Sequence, residues 1–239
     1  MIKRAGTDIV NWYLLEEGGR VTIVDAGLPG YRPGVDEELR AIGRSIEDVE
    51  AIVLTHAHID HVGFAAILQD ERGIPVHVHE GERPQATTGK APKTEANFVP
   101  ALLRYRTARR VVGHIVRNGG AKPPKVREVV TFSGGAQLDV PGRPVAVPTP
   151  GHSPGHVSLH VAAEGALFTG DALVGWSTIT GAQGPILPPV EFNFSTEQAR
   201  ESLAAIEETG AQTLYFGHGE PWTQGAAAAV AHARSARDR

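Results

Sequence analysis

The chain has 239 residues and no cysteine. Disulfides, thiolate metal sites, redox dithiols and thiol nucleophiles are therefore excluded. Methionine occurs once, and aromatic residues make up only 6%. The core must be built mostly from aliphatic side chains, within an apolar fraction of 41% that is far from a disordered composition. No run approaches the ~20 apolar residues that cross a bilayer. The opening Met1-Ile2-Lys3-Arg4-Ala5-Gly6 lacks the apolar stretch of a secretion signal, so a cytoplasmic protein is expected. An excess of one charge is lacking too. The formal net charge is −4, which gives the chain as a whole no general attraction for nucleic acid.

Histidine, in contrast, is concentrated. Thr55-His56-Ala57-His58-Ile59-Asp60-His61 packs three imidazoles and a carboxylate into six positions. The apolar run Ala51-Ile52-Val53-Leu54 before it reads as a buried strand. The cluster thus begins where a strand ends, the place where α/β proteins gather ligands. Imidazole nitrogen and carboxylate oxygen suit zinc and similar divalent ions. One ion cannot easily use all four groups from so short a segment. Two adjacent ions can, with His56 and His58 turned one way and Asp60 and His61 the other.

Three more segments repeat the pattern. Thr149-Pro150-Gly151-His152-Ser153-Pro154-Gly155-His156 sets histidine in a glycine-framed turn. Ala166-Leu167-Phe168-Thr169-Gly170-Asp171 is an apolar strand ending in Gly-Asp, and Thr213-Leu214-Tyr215-Phe216-Gly217-His218 a strand ending in Gly-His. With Val24-Asp25-Ala26-Gly27 near the start, the order and spacing of these five motifs resemble the metallo-β-lactamase superfamily of metal-dependent hydrolases.

The resemblance covers nearly the whole chain and implies specific roles. His56, His58 and His152 would bind one metal ion. Asp60, His61 and His218 would bind the other, with Asp171 bridging the two. Asp25 would orient the histidine segment, and His156 would support the site without ligating. Paired ions lower the pKa of a bound water, polarise the bond under attack and stabilise developing charge. Asp60 would hold the resulting hydroxide, and Asp171 would fix the ion separation. Three histidines favour zinc at one site. The Asp60, His61, His218 and Asp171 set also suits iron or manganese.

The fold expected is α/β, a four-layer αββα sandwich in one domain over residues 1–239. Strands are read at 9–15, 21–24, 51–54, 75–79, 144–147, 157–161, 166–168 and 213–216. Helices are read at 34–42 and 62–68. Ser195-Thr196-Glu197-Gln198 is a capping box opening a helix to about Thr209, with Gly210 as its stop. A last helix is read from Ala226 to Arg239.

Residues 82–130 read as an inserted helical cap. From Gly81 to Val130 the chain holds eleven basic residues against Glu82, Glu95 and Glu128, a local net of +8 that leaves −12 for the remainder. The part from 96 to 116 reads as helical with a broad apolar face. Leu102, Leu103 and Tyr105 are expected to pack over the metals, while Arg104, Arg106, Arg109 and Arg110 draw in an anion. A solvated basic face or a homodimer interface is the competing reading of this segment.

Two function classes follow. The first is a dinuclear metallohydrolase of an ester, thioester or lactone, acting on an anionic or amphipathic small molecule. The carboxylate at Asp171 and the Thr-Pro-Gly-His-Ser-Pro-Gly-His string resemble the thioesterase and lactonase branches, and disfavour antibiotic hydrolysis. The second is a phosphodiesterase or nucleic-acid-directed member of the same fold, with the basic segment on phosphates. The −12 remainder would repel a nucleic-acid backbone, so that partner is disfavoured.

Overall fold

A computed structural model describes residues 1–122 and 124–236. The end of the last expected helix, residues 237–239, lies outside the described residues. The first sheet has six strands in sequence order: β1 (Ile2–Gly6), β2 (Asn11–Glu17), β3 (Arg20–Val24), β4 (Val49–Val53), β5 (Val76–His79) and β6 (Val130–Phe132). The first three pair antiparallel, and β3 to β6 run parallel. The second half contributes β7 (Val145–Pro148), β8 (Val157–Val161), β9 (Ala166–Gly170), β10 (Val174–Trp176), β11 (Gln183–Ile186) and β12 (Thr213–Phe216). Of these, β12-β9-β8-β7 form a four-stranded sheet in which β12 and β9 are parallel, and β10-β11 form a separate hairpin.

Side-chain alternation explains the layering. Successive residues of a strand face opposite sides. On β2, Tyr13 and Leu15 point into a core shared with Ala146, Leu159, Ala166 and Phe168 of the second sheet. Their neighbours Trp12 and Leu14 point the other way, toward Val35, Leu39, Phe64 and Leu68. The second sheet does the same: Leu167, Leu214 and Phe216 meet Leu203, Ile206, Ala229 and Val230 on its outer side. Two sheets packed face to face, each covered by helices, make the four-layer αββα arrangement.

The helices are α1 (Arg32–Arg40), α2 (Ile59–Val62), α3 (Ala65–Arg72), α4 (Arg83–Thr88), α5 (Val99–Arg104), α6 (Arg106–Arg117), α7 (Thr196–Glu208) and α8 (Ala226–Ser235). None is long and apolar enough to cross a membrane. Ser195 caps α7 by accepting a hydrogen bond from the Gln198 N–H, one half of the expected reciprocal box.

Two expected helices are divided. The run read at 62–68 breaks between α2 and α3 at Gly63, whose backbone lies against Gly27 and Leu28 so closely that a Cβ would overlap both. The run read at 96–116 breaks at Tyr105, which sits in extended backbone at φ −108°, ψ 128° between α5 and α6.

Candidate metal centre

Five strands deliver the polar side chains to one edge of the sandwich. Asp25 follows β3, the Thr55–His61 segment follows β4, His152 follows β7, Asp171 follows β9 and His218 follows β12. Backbone bonds between the sheets hold that edge shut: Val157 N–H donates to Thr55 O and Asn11 N–H donates to Gly217 O. Gly217 is needed there for space, since a Cβ would collide with the Asp171 carboxylate and the His61 ring. Gly170, at φ +50°, lets the chain turn beside Thr55 and His156 where a side chain would not fit.

The side chains converge in three overlapping groups: His56, His58 and His152; Asp60, His61 and His218; and His56, His61 and Asp171. Within each group the ligand atoms lie within 4.8 Å of one another. His58 Nδ1 is 2.7 Å from His152 Nε2. Asp171 faces both outer groups, with Oδ2 3.1 Å from His218 Nε2 and 3.6 Å from His152 Nε2. Asp60 Oδ2 is 3.5 Å from His218 Nε2.

The outward nitrogens of the rings are held from behind. His61 Nδ1 is 2.9 Å from Asp25 Oδ2, and Asp25 Oδ1 accepts from the Thr55 N–H at 2.8 Å. Asp25 reaches both from a left-handed backbone at φ 58°, a conformation that Asp tolerates better than most residues. His218 Nδ1 lies 2.6 Å from Ile9 O, and His152 Nδ1 lies 3.3 Å from Asn193 Oδ1. Thr55 Oγ1 sits 3.1 Å from His56 Nδ1. In each case the second nitrogen, Nε2, is left pointing into the cluster, which is how the other ring N–H of a metal-bound imidazole is ordinarily occupied.

Among the described residues, His56 Nε2, His61 Nε2 and Asp171 Oδ1 are buried without any hydrogen-bond partner. Leaving such a group unsatisfied costs roughly 1–3 kcal/mol each. Three of them facing one space, with nitrogen and carboxylate donors, fit a divalent cation as the missing partner.

Without metal, the charge states differ across the cluster. Burial lowers the pKa of His56, His58 and His152, so these rings are neutral and free to donate lone pairs. Burial acts the same way on His61 and His218, but carboxylates outweigh it. Asp25 and Asp171 raise His61 well above its usual value, and Asp171 raises His218 to about 9. Burial alone would raise Asp171, yet His218 and His61 hold it well below the usual carboxylate range.

His156 is placed differently. Its Nε2 accepts from the Asp171 N–H at 3.1 Å, so Nδ1 carries the proton and faces Thr149 Oγ1 at 2.9 Å. Both nitrogens are used, and burial drives its pKa down to about 3. His156 fixes the backbone of Asp171 and has no atom left for a ligand.

Glu82 stands out in the sequence only through the charge balance of the 82–130 segment. In the fold it is 1% exposed. Its Oε2 accepts from the Ala57 N–H at 2.9 Å, and its Oε1 accepts from Ser153 Oγ at 2.7 Å and the Gly155 N–H at 2.8 Å. One carboxylate therefore ties the His56–His58 loop to the His152 turn. Its only signal in sequence is its position shortly after β5, at the same sheet edge.

A cavity of about 330 Å³ opens over the cluster, lined by His58, Asp60, His152, Asp171 and His218 on the polar side. Its other walls include Val111 and Ile115 of α6, Trp176 of β10 and Phe192. Leu102, Leu103, Arg104, Tyr105, Arg106 and Arg109 are not among the lining residues, a correction to the sequence reading. The break at Tyr105 is the reason. It ends α5 after six residues and leaves Leu103 76% exposed. The inward stripe of α6 is Ala108 and Val111, with Ile115 one turn on.

Comparison with known proteins identifies the family. The family model described as the metallo-beta-lactamase superfamily matches residues 5–218. YobT of Bacillus subtilis (strain 168) is 29% identical over 215 residues, covering 88% of this chain and 83% of its own. YflN of the same organism, a probable metallo-hydrolase, is 29% identical over 236 residues, covering 90% and 82%. A crystal structure of a metallo-beta-lactamase family protein from Thermus thermophilus superposes with a TM-score of 0.67 at 26% identity, covering 97% of this chain and 78% of its own. With the family match running from β1 to the last strand-end histidine, the chain belongs to the metallo-beta-lactamase superfamily.

Proposed function

We infer that the protein is a metal-dependent hydrolase holding two divalent ions and cleaving an ester, thioester or lactone. The observation that carries this is the convergence of seven ligand side chains on one space, three of their buried atoms lacking any partner. His56, His58 and His152 would hold one ion, best suited to zinc. Asp60, His61 and His218 would hold the other, where zinc, iron or manganese fits, with Asp171 between them. Bound there, such ions activate water and polarise the oxygen of the scissile group.

The chain's own residues do the rest. Asp25, Asn193, Thr55 and Ile9 O fix the ring orientations behind the site. Asp60 lines the cavity and faces His218, which supports a role for its carboxylate in holding the attacking water. The apolar walls offer contact to the acyl side. The choice of ester, thioester or lactone rests on the likeness of Asp171 and the His152–His156 segment to those branches.

The test is a panel of ester, thioester, lactone and bis(p-nitrophenyl) phosphate substrates offered to zinc-loaded protein. Carboxylic substrates should turn over, lose turnover on chelation and regain it with added metal. Faster cleavage of the phosphodiester would overturn the assignment.

A further inference from the structure

The insertion carries strong positive charge, yet the structure keeps that charge away from the cavity. All eleven of its lysines and arginines are solvent-exposed. Arg110 pairs with Asp8, Arg127 with Asp70, and Arg109 donates to the carbonyls of Leu102 and Leu103. None of the eleven lines the cavity. Among the described residues, the titratable side chains that do line it are five: His58, Asp60, His152, Asp171 and His218, all part of the candidate metal centre.

Beyond that polar floor the walls are apolar. Val62, Val111, Ile115, Val174, Trp176 and Phe192 surround the space. The polar groups among them are neutral. The Gln85 amide, the Thr178 hydroxyl and the Trp176 indole N–H all belong to the cavity lining, and among the described residues none of the three has a hydrogen-bond partner. Polar groups left open in an apolar pocket are the usual means of fixing a ligand's orientation. A charge placed among these walls would lose its hydration and meet no opposite charge.

We propose, resting on the hydrolase reading above, that the substrate is an uncharged ester or lactone whose aliphatic portion fills the Val111–Ile115–Trp176–Phe192 wall. The part of the substrate remote from the scissile bond carries no carboxylate or phosphate. Specificity comes from apolar contact, with Gln85, Thr178 and Trp176 available to a neutral carbonyl or hydroxyl. The cavity volume, about 330 Å³, stands at the small end of ligand pockets, which run from roughly 300 to 1,000 Å³. A compact aliphatic chain fits it.

The experiment has two arms on the zinc-loaded, full-length protein. In the first, p-nitrophenyl esters from acetate upward are compared with half-esters of dicarboxylic acids of equal length. kcat/KM should rise about 4-fold per added methylene until the cavity is full, the equivalent of ~0.8 kcal/mol per buried CH₂. A terminal carboxylate should cost roughly tenfold or more. In the second arm, calorimetry measures binding of inert n-alkyl methyl ketones, which need no turnover. Their affinity should follow the same gradient, and Ile115→Lys should flatten it while improving relative use of the half-esters.

Failure of the two readings is separable. A flat chain-length profile in both arms, or preference for the half-esters by the unmodified protein, would overturn the proposed substrate class. Graded ketone binding with no turnover of any ester, thioester or lactone would sustain the apolar site and overturn the hydrolase assignment instead.

Discussion

Replacing Glu82 should damage the metal centre from outside it. The carboxylate accepts three hydrogen bonds, from the Ala57 N–H, the Gly155 N–H and the Ser153 hydroxyl, in a site with 1% exposure. The serine can turn to another acceptor; the two backbone N–H groups cannot. Each buried donor left unsatisfied costs roughly 1–3 kcal/mol, so Glu82→Ala should lose about 2–6 kcal/mol, a large part of the ~5–15 kcal/mol that holds a typical domain. Glu82→Gln keeps one acceptor oxygen but turns an NH₂ toward a donor on the other loop. Its loss should be nearer ~1–3 kcal/mol. Because the two loops carry His56, His58 and His152, both variants should also bind metal ~10–100-fold more weakly, the range seen when outer partners of metal ligands are removed. Urea denaturation of chelator-treated protein reads the first effect, and competitive zinc titration reads the second. Wild-type zinc affinity in Glu82→Gln, whatever its stability, would refute the idea that this residue aligns the three histidines.

Two further outcomes follow from the same geometry. Asp171→Ala should lower turnover by ~10–100-fold or more and weaken one metal, while far-UV circular dichroism stays unchanged; full activity would mean that Asp171 does not join the two groups. In metal-free protein, His218 is raised from its ordinary 6.5 to about 9, so its contribution to stability is complete below about pH 6.5 and is lost as pH rises through about 9. The denaturation midpoint of chelator-treated protein should therefore fall across that window, and saturating metal should remove the fall; a midpoint that is flat or rises without metal would contradict the assignment.

Much of this site can be read from sequence because its ligands are local to strand ends. An apolar run followed by glycine and a histidine or aspartate says where the strand stops and what it presents. His152, Asp171 and His218 follow such runs, Asp25 and the 56–61 cluster follow apolar strands without the glycine, and all reach one edge. Glu82 does not announce itself, since its role comes from contacts with residues 25 and 71 positions away. The break at Tyr105 is hidden for a related reason. The apolar periodicity of residues 96–116 continues across it, and periodicity does not report a backbone bend imposed by packing. The edge strand β1 and the β10–β11 hairpin carry weak signals too. The first is short and partly exposed, and the second contains Gly175, Gly184 and Pro185, which read as loop. The basic residues of the 82–130 segment show the limit of charge counting. Their number is plain in the sequence, but the direction they face depends on which side of α6 meets the cavity.

Crystallography with anomalous scattering at the zinc edge reads out whether the converging side chains hold two metal ions per chain. Zinc-soaked crystals should show two peaks, one among His56, His58 and His152 and one among Asp60, His61 and His218, with Asp171 between them. A single peak at saturating zinc, or peaks elsewhere on the surface with this cluster empty, would mean that these side chains do not form a two-metal site.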